Sequence, residues 1–438
     1  MQMTKKILFF FLSLIVLFSN CQREPQEVAY EVLPGTESAY TLTQFKESLS
    51  AEYAVDFDSA LALFQYLGIE GLDNLKNVFS DECSYKTVAI KYRSVDVSGK
   101  PIWLSGRLYY RIDASGNMVE PTHIVLSNHH TECDNSRIPS QSIGVEAGIV
   151  HNGGIVVVPD YLGFGVSVNN VHPYGAPEIT ARNSLDMIRA TKQFMKDNGL
   201  SVGTQFPIYN IGYSQGGAVA LAVAKYVQTK TRLQSEFNLA GSYCGGGPYS
   251  MATMFRDFIE TDNCLYPLSV PLMVVGLKAA FPKIIQDDCE KFLSEEMLNS
   301  GIMEKVFSKQ FTTDQLNEEI CQIFNSSKGM SVKTSLMLSK GACTPGNKLY
   351  EQLLKATEAC ELAKGWTPET PVHFIHAESD DVVPYYNFEL VRENLSNALT
   401  TFETWNYVSL PGHKLNAILY YARVCCGAYL EPHTIENK

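Results

Sequence analysis

Residues 209–221 read YNIGYSQGGAVAL, so Ser214 stands between Gly212-Tyr213 and Gln215-Gly216-Gly217. A serine hydroxyl is a poor nucleophile until a base takes its proton, and that base needs a carboxylate to orient it. G-x-S-x-G arises by chance on the order of once in seven chains of this length, so its setting must discriminate. Here an apolar strand pattern gives way to a helical one. On such a turn the hydroxyl is held exposed above the sheet. Gly212 and Gly216 remove side chains that would clash, and Gly217 lets the helix begin close to the strand. The bland alternative is a tight turn without chemistry, which the partners decide.

In a strand–turn–helix setting of this kind the chain order is serine, acid, histidine. Of nine histidines, only His413 and His433 follow the last strand patterns. His433 lies in the polar tail EPHTIENK and reads as solvated. His413 follows TFETWNYVSL and a Pro411-Gly412 turn, in a loop at a strand's C-terminal end, where open α/β sheets meet their ligands. The preceding strand, HFIHAESDDVVP, offers Glu378, Asp380 and Asp381 as the acid. An aspartate there could instead cap the helix before Tyr385. Donors for an oxyanion are expected from the backbone N–H of Gln215 and from the segment SNHHTECD. In that segment His130 is favoured, with His129 and Thr131 as alternatives. Adjacent histidines on an extended segment point to opposite sides, which suits joint metal ligation poorly. No CxxC pair is present, so no metal is expected.

These groups need a scaffold. HIVLSN, GGIVVVPD, FPIYNIGY, FNLAGSYCG, PVHFIHA and FETWNYV read as strands. The nearly continuous apolar runs fit strands buried on both faces, as in parallel sheets covered by helices. ITARNSLDMIRATKQFMKDNGL reads as an amphipathic helix ending at Gly199. YKTVAIKYRSVDV and IWLSGRLYYRI read as a strand pair turning at Ser98-Gly99, which adds antiparallel character at one edge. Residues 38–80 carry a helical rhythm. Residues 249–368 break the alternation with mostly helical patterns. Within them the apolar run from Tyr266 to Pro282 reads as core rather than substrate channel.

Together these residues resemble the α/β-hydrolase superfamily over 85–248 and 369–425. Within it the chain resembles the secretory lipase family of the fungal lipase A type, on the GYSQGG elbow, the PDYLGFG loop and the Gly245–Pro248 GGGP. The resemblance implies the α/β-hydrolase fold, a mostly parallel central sheet flanked by helices with an inserted helical cap that shapes an acyl pocket. It implies hydrolysis of carboxylic esters through an acyl-enzyme on Ser214, with neither metal nor organic cofactor. Its pattern H-G-x-x-D-x-x-V-P, registered on His376 and Val383-Pro384, places the acid on Asp380, with Ala377 replacing the glycine and Asp381 as runner-up. It also brings Asp160 and Tyr161, in the PDY loop, near the site mouth, with packing of that turn as the equal alternative. The implied division is 1–20 leader, 21–84 tether and N-terminal helical segment, 85–248 core, 249–368 cap and 369–438 core. Two other readings keep the scaffold: a prolyl-oligopeptidase-like serine peptidase, and a non-catalytic surface binding protein.

Lys5 and Lys6 precede the apolar run Ile7 to Phe18, too short to span a bilayer and fitting a signal peptide. The following FSNC resembles the lipobox of bacterial lipoproteins, with Asn20 and Phe18 departing from its usual residues. It implies lipidation at Cys21 and an exported protein anchored to a membrane of the bacterial cell envelope. Setting Cys21 aside, ten of the eleven cysteines remain, and an even number in an exported chain suggests disulfides. Those from Cys244 to Cys360 crowd one region, which suggests a stapled insertion. The net charge of −12 argues against nucleic acid as a partner. The expected substrate is a small-molecule, lipid or carbohydrate ester.

Overall fold

The computed structural model describes residues 29–53, 84–203, 205–326, 331–406 and 412–430, with positions 59 and 62. The expected leader, Cys21, Cys83 and His433 lie outside the described residues. Among the described residues no helix is long and apolar enough to cross a membrane.

One sheet organises the chain. Its strands are β1 Tyr30–Val32, β2 Ser38–Thr41, β3 Ser84–Val95, β4 Pro101–Ile112, β5 Ile124–Asn128, β6 Ile155–Pro159, β7 Ile208–Tyr213, β8 Leu239–Gly245, β9 Val372–Ala377 and β10 Thr400–Trp405. They are ordered β1-β3-β4-β6-β5-β7-β8-β9-β10, with β2 also on β3. The pairs β6–β5, β5–β7, β7–β8, β8–β9 and β9–β10 are parallel, while β1 to β4 pair antiparallel at one edge. The expected hairpin turns with Gly99 at φ 83°. One expectation is corrected. Residues 38–41 form strand rather than helix, because they pair along β3, and helix α1 begins only at Leu42 (Leu42–Tyr53).

The strand alternation resolves into two buried faces, as period-two side chains demand. Ile124, Leu126, Ile155 and Val157 pack with α2 (Pro177–Asp197) and α3 (Gln215–Gln228). Val125, Val156 and Val158 pack on the opposite face with α1 and with Leu419 and Val424 of the C-terminal helix. A short α4 (Thr231–Glu236) leads into β8.

Between β8 and β9 runs a helical segment: α5 Met251–Glu260, α6 Ser269–Ala280, α7 Glu295–Asn299, α8 Ile302–Ser308, α9 Thr313–Ile323, α10 Thr334–Met337 and α11 Lys348–Glu358. It has an apolar core of its own, including Phe255, Leu277, Phe292, Leu316 and Leu353. No two described cysteines are joined in a disulfide. That corrects the stapled-insertion expectation: buried apolar side chains hold the segment instead. After β9, α12 (Tyr386–Leu395) leads to β10, and α13 (His413–Cys425) is followed by a short 3-10 turn, Ala428–Leu430.

Candidate active site

Ser214 joins β7 to α3 with φ 60° and ψ −126°, a left-handed conformation costly for a residue with a side chain. The surroundings force it. A Cβ on Gly212 would lie 2.2 Å from the Gly216 carbonyl oxygen, and one on Gly216 would lie 1.9 Å from that of Asn128. A Cβ on Gly217 would lie 2.3 Å from the Gly245 carbonyl oxygen. Only glycine lets α3 start this close to β5 and β8. The Ser214 N–H donates to the Gly245 carbonyl at 2.9 Å, pinning the turn.

Asp380 follows β9 and is 9% exposed. Its Oδ1 accepts the backbone N–H groups of Val382 (3.0 Å) and Val383 (2.8 Å). Its Oδ2 lies 2.7 Å from His413 Nδ1. Burial alone would raise this carboxyl, but the facing His413, His376 and the Val383 N–H outweigh it and hold it below its ordinary range. An ionised acceptor there puts the His413 proton on Nδ1. His413 Nε2 is then a bare lone pair, buried and without a hydrogen-bond partner among the described residues.

Two neighbours refine the sequence expectations. His413 does not sit in a loop: it is the first residue of α13. Asp381 caps that helix rather than α12, accepting the His413 N–H at 2.8 Å through Oδ1. Sequence reasoning used His376 only to set register. The structure buries it completely, with Nε2 3.0 Å from the Val383 carbonyl oxygen and 3.5 Å from Asp380 Oδ2.

Ser214 and His413 line one cavity of about 360 Å³. That lies at the small end of ligand pockets. Gln215, His130 and Thr131 also line it, whereas His129 does not. Helices α5 and α6 supply an apolar wall of Met251, Met254, Phe255, Phe258, Val270 and Met273. The run from Tyr266 to Pro282 therefore does two things: Val274 and Leu277 are buried in the segment's core, while Val270 and Met273 face the cavity.

Asp160 and Tyr161 do not reach the mouth. Asp160 is fully buried and accepts from Ser105 Oγ (2.5 Å) and the Ser140 N–H (2.7 Å), because a carboxylate removed from water needs donors. Tyr161 is 1% exposed, has φ 71°, and stacks on His129 behind the cavity wall. No motif signals this stack or His172, whose segment NNVHPYG carries none.

The parallel sheet, the serine on a strained strand-to-helix turn and the acid and histidine after later strands define the α/β-hydrolase fold. The chain belongs to the secretory lipase family, whose family model matches residues 139–420. The secreted triacylglycerol lipase LIP2 of Malassezia globosa is 26% identical over 270 residues, covering 60% of this chain and 50% of that protein. The secreted triacylglycerol lipase LIP4 of Malassezia furfur is 26% identical over 276 residues, covering 60% and 44%. The chain thus spans about half the length of the curated relatives it matches. In fold it is similar to the rice cell wall degrading esterase LipA of Xanthomonas oryzae (TM-score 0.67, 17% identity, covering 91% of this chain and 95% of that one). It is also similar to Candida antarctica lipase A (TM-score 0.55, 16% identity, covering 83% and 81%).

Proposed function

We propose that this chain is a serine carboxylic-ester hydrolase of esterase or lipase type. The observation that carries the reading is the Asp380–His413 pair at 2.7 Å, with an unpartnered Nε2 in the cavity that Ser214 also lines. His413 takes the Ser214 proton as the hydroxyl oxygen attacks the ester carbonyl. The carbonyl oxygen takes up the negative charge between the N–H of Gln215, at the start of α3, and that of His130. Collapse expels the alcohol with the proton from His413 and leaves an acyl-serine. Water, deprotonated by His413, then releases the acid. Asp380 keeps Nδ1 protonated and stabilises the imidazolium.

Residues 249–368 act as the cap, and the apolar wall of α5 and α6 receives the acyl group. Export and lipid anchoring at Cys21 complete the reading. They predict a mature N-terminus at Cys21 and partition into detergent. An unmodified N-terminus beyond Cys21, seen by intact mass, would sink the anchoring.

The activity test is hydrolysis of p-nitrophenyl esters from acetate to palmitate by the wild type and by Ser214→Ala. Turnover is expected in the wild type, with kcat lower by about 10⁶-fold in the variant. Folded wild type that hydrolyses no ester in the series, yet cleaves peptide amides, would turn the reading into a peptidase.

A further inference from the structure

Behind the cavity wall, three rings form a column. Tyr161 stacks on His129 with centroids 4.0 Å apart and planes at 21°. The His172 ring lies parallel to it, at 5.9 Å and 8°. Tyr161 is held at φ 71°, unusual for a bulky residue, so the surrounding packing must hold it there. Gly163 makes room for the column's outer end: a Cβ there would lie 2.5 Å from the His172 backbone nitrogen.

The column's hydrogen bonds run to both sides of the proposed oxyanion site. The Tyr161 hydroxyl donates to the His129 carbonyl oxygen at 3.0 Å. His129 Nδ1 lies 2.6 Å from the His130 carbonyl oxygen, to which it donates. A trans peptide sets its N–H opposite its carbonyl. Tying these two carbonyls therefore fixes the directions of the His130 and Thr131 N–H groups. At the other end His172 Nδ1 lies 2.9 Å from the Leu162 carbonyl oxygen and must carry the ring proton. Burial pushes this imidazole down to about 4, so it is neutral at ordinary pH. Its Nε2 is then an acceptor, and Gln215 Nε2 donates to it at 2.8 Å.

We propose that Tyr161 and His172 are positioning residues for the oxyanion hole, Tyr161 aiming the N–H of His130 and His172 anchoring Gln215 at the first turn of α3. This rests on the reading of Ser214 as nucleophile. Neither residue lines the cavity, whereas His130 and Gln215, through which they act, do. The two donors come from segments far apart in the chain, and the column makes them one rigid unit.

Tyr161→Phe keeps the stack and removes only the hydroxyl. His172→Leu removes the acceptor for Gln215. Each is expected to lower kcat roughly 10- to 100-fold with KM little changed, because displaced donors are missed in the transition state. Binding of an alkylboronic acid, which forms a tetrahedral adduct on the serine, should weaken by the same factor as kcat/KM. Gln215→Leu keeps its own N–H, and His172→Leu added to it should cost nothing further. The inference is overturned if folded variants keep wild-type kcat, if the loss falls on KM alone, or if the two substitutions at 172 and 215 multiply. Ser214→Ala is assayed alongside. If it stays active, the nucleophile reading fails. If it is inactive while Tyr161→Phe and His172→Leu match the wild type, only the column's role fails.

Discussion

The turn at Ser214 and the helical segment from α5 to α11 are built on opposite terms. At the turn, backbone meets backbone: added Cβ atoms on Gly212, Gly216 and Gly217 would fall within 2.3 Å of carbonyl oxygens or nearer. In the helical segment, flexible apolar side chains such as Met254 and Met273 meet one another and the cavity. Backbone contacts cannot yield, whereas methionine and phenylalanine can repack at modest cost. On the proposed function, the rate of the chemistry rests on the rigid side and the choice of acyl group on the soft side.

The largest expected effect on the rigid side, after loss of the nucleophile itself, is Asp380→Asn. It should lower kcat about 10⁴-fold, because an amide stabilises the wrong His413 tautomer. A drop below about 10-fold in steady-state kinetics would remove Asp380 from the mechanism. The steric half of the comparison is checked with two glycines. Gly216→Ala should abolish folding or activity, its Cβ meeting the Asn128 carbonyl at 1.9 Å. Gly241→Ala should change the urea midpoint little, since its nearest contacts would be ordinary ones at 3.7 Å. Equal behaviour of the two would break the comparison.

The pH response sharpens it further. The helical segment contains no histidine, while the sheet side buries His123 and His129. Burial pushes His123 down to about 4, and burial, with a smaller push from His130, takes His129 down to about 3. An unfolded histidine titrates near 6.5. Below that pH the unfolded state binds protons that the folded state refuses, so stability falls as pH drops from about 6.5 towards the folded values. From pH 7 to pH 5 the loss should be on the order of 1–2 kcal/mol for each buried histidine. Urea midpoints that do not fall over this interval would contradict neutral burial. The smallest effect is on the soft side. Phe258→Leu enlarges the cavity wall and should shift preference towards longer acyl esters by roughly 10-fold. A uniform loss across all chain lengths would instead give Phe258 a purely structural role.

The same contrast explains what was legible in the sequence. The strands, the turn at Ser214 and the position of His413 could be read because they depend on local pattern and chain order, whereas the choice of Asp380 over Glu378 and Asp381 came from the family resemblance. The fold followed, including the antiparallel edge. Residues 38–41 misled because pairing to β3 is a long-range contact that local pattern does not show; beyond Tyr53 the expected helical stretch to residue 80 lies outside the described residues, positions 59 and 62 apart. Cysteine number misled because the described thiols of the helical segment pack as apolar groups. The family resemblance put Asp160 and Tyr161 near the mouth, but their side chains turn inward and pack the turn, as the alternative had it. His172 was invisible, since nothing local ties it to Gln215.

Whether Ser214, Asp380 and His413 act together is tested by reaction with a fluorophosphonate, read by intact mass and peptide mapping. A single adduct on Ser214 is expected, formed rapidly in the wild type, much more slowly in Asp380→Asn and in His413→Ala, and absent in Ser214→Ala. Folded wild-type protein that takes up no adduct, or takes it up equally when Asp380 and His413 are replaced, would contradict the claim that these three residues form one catalytic unit.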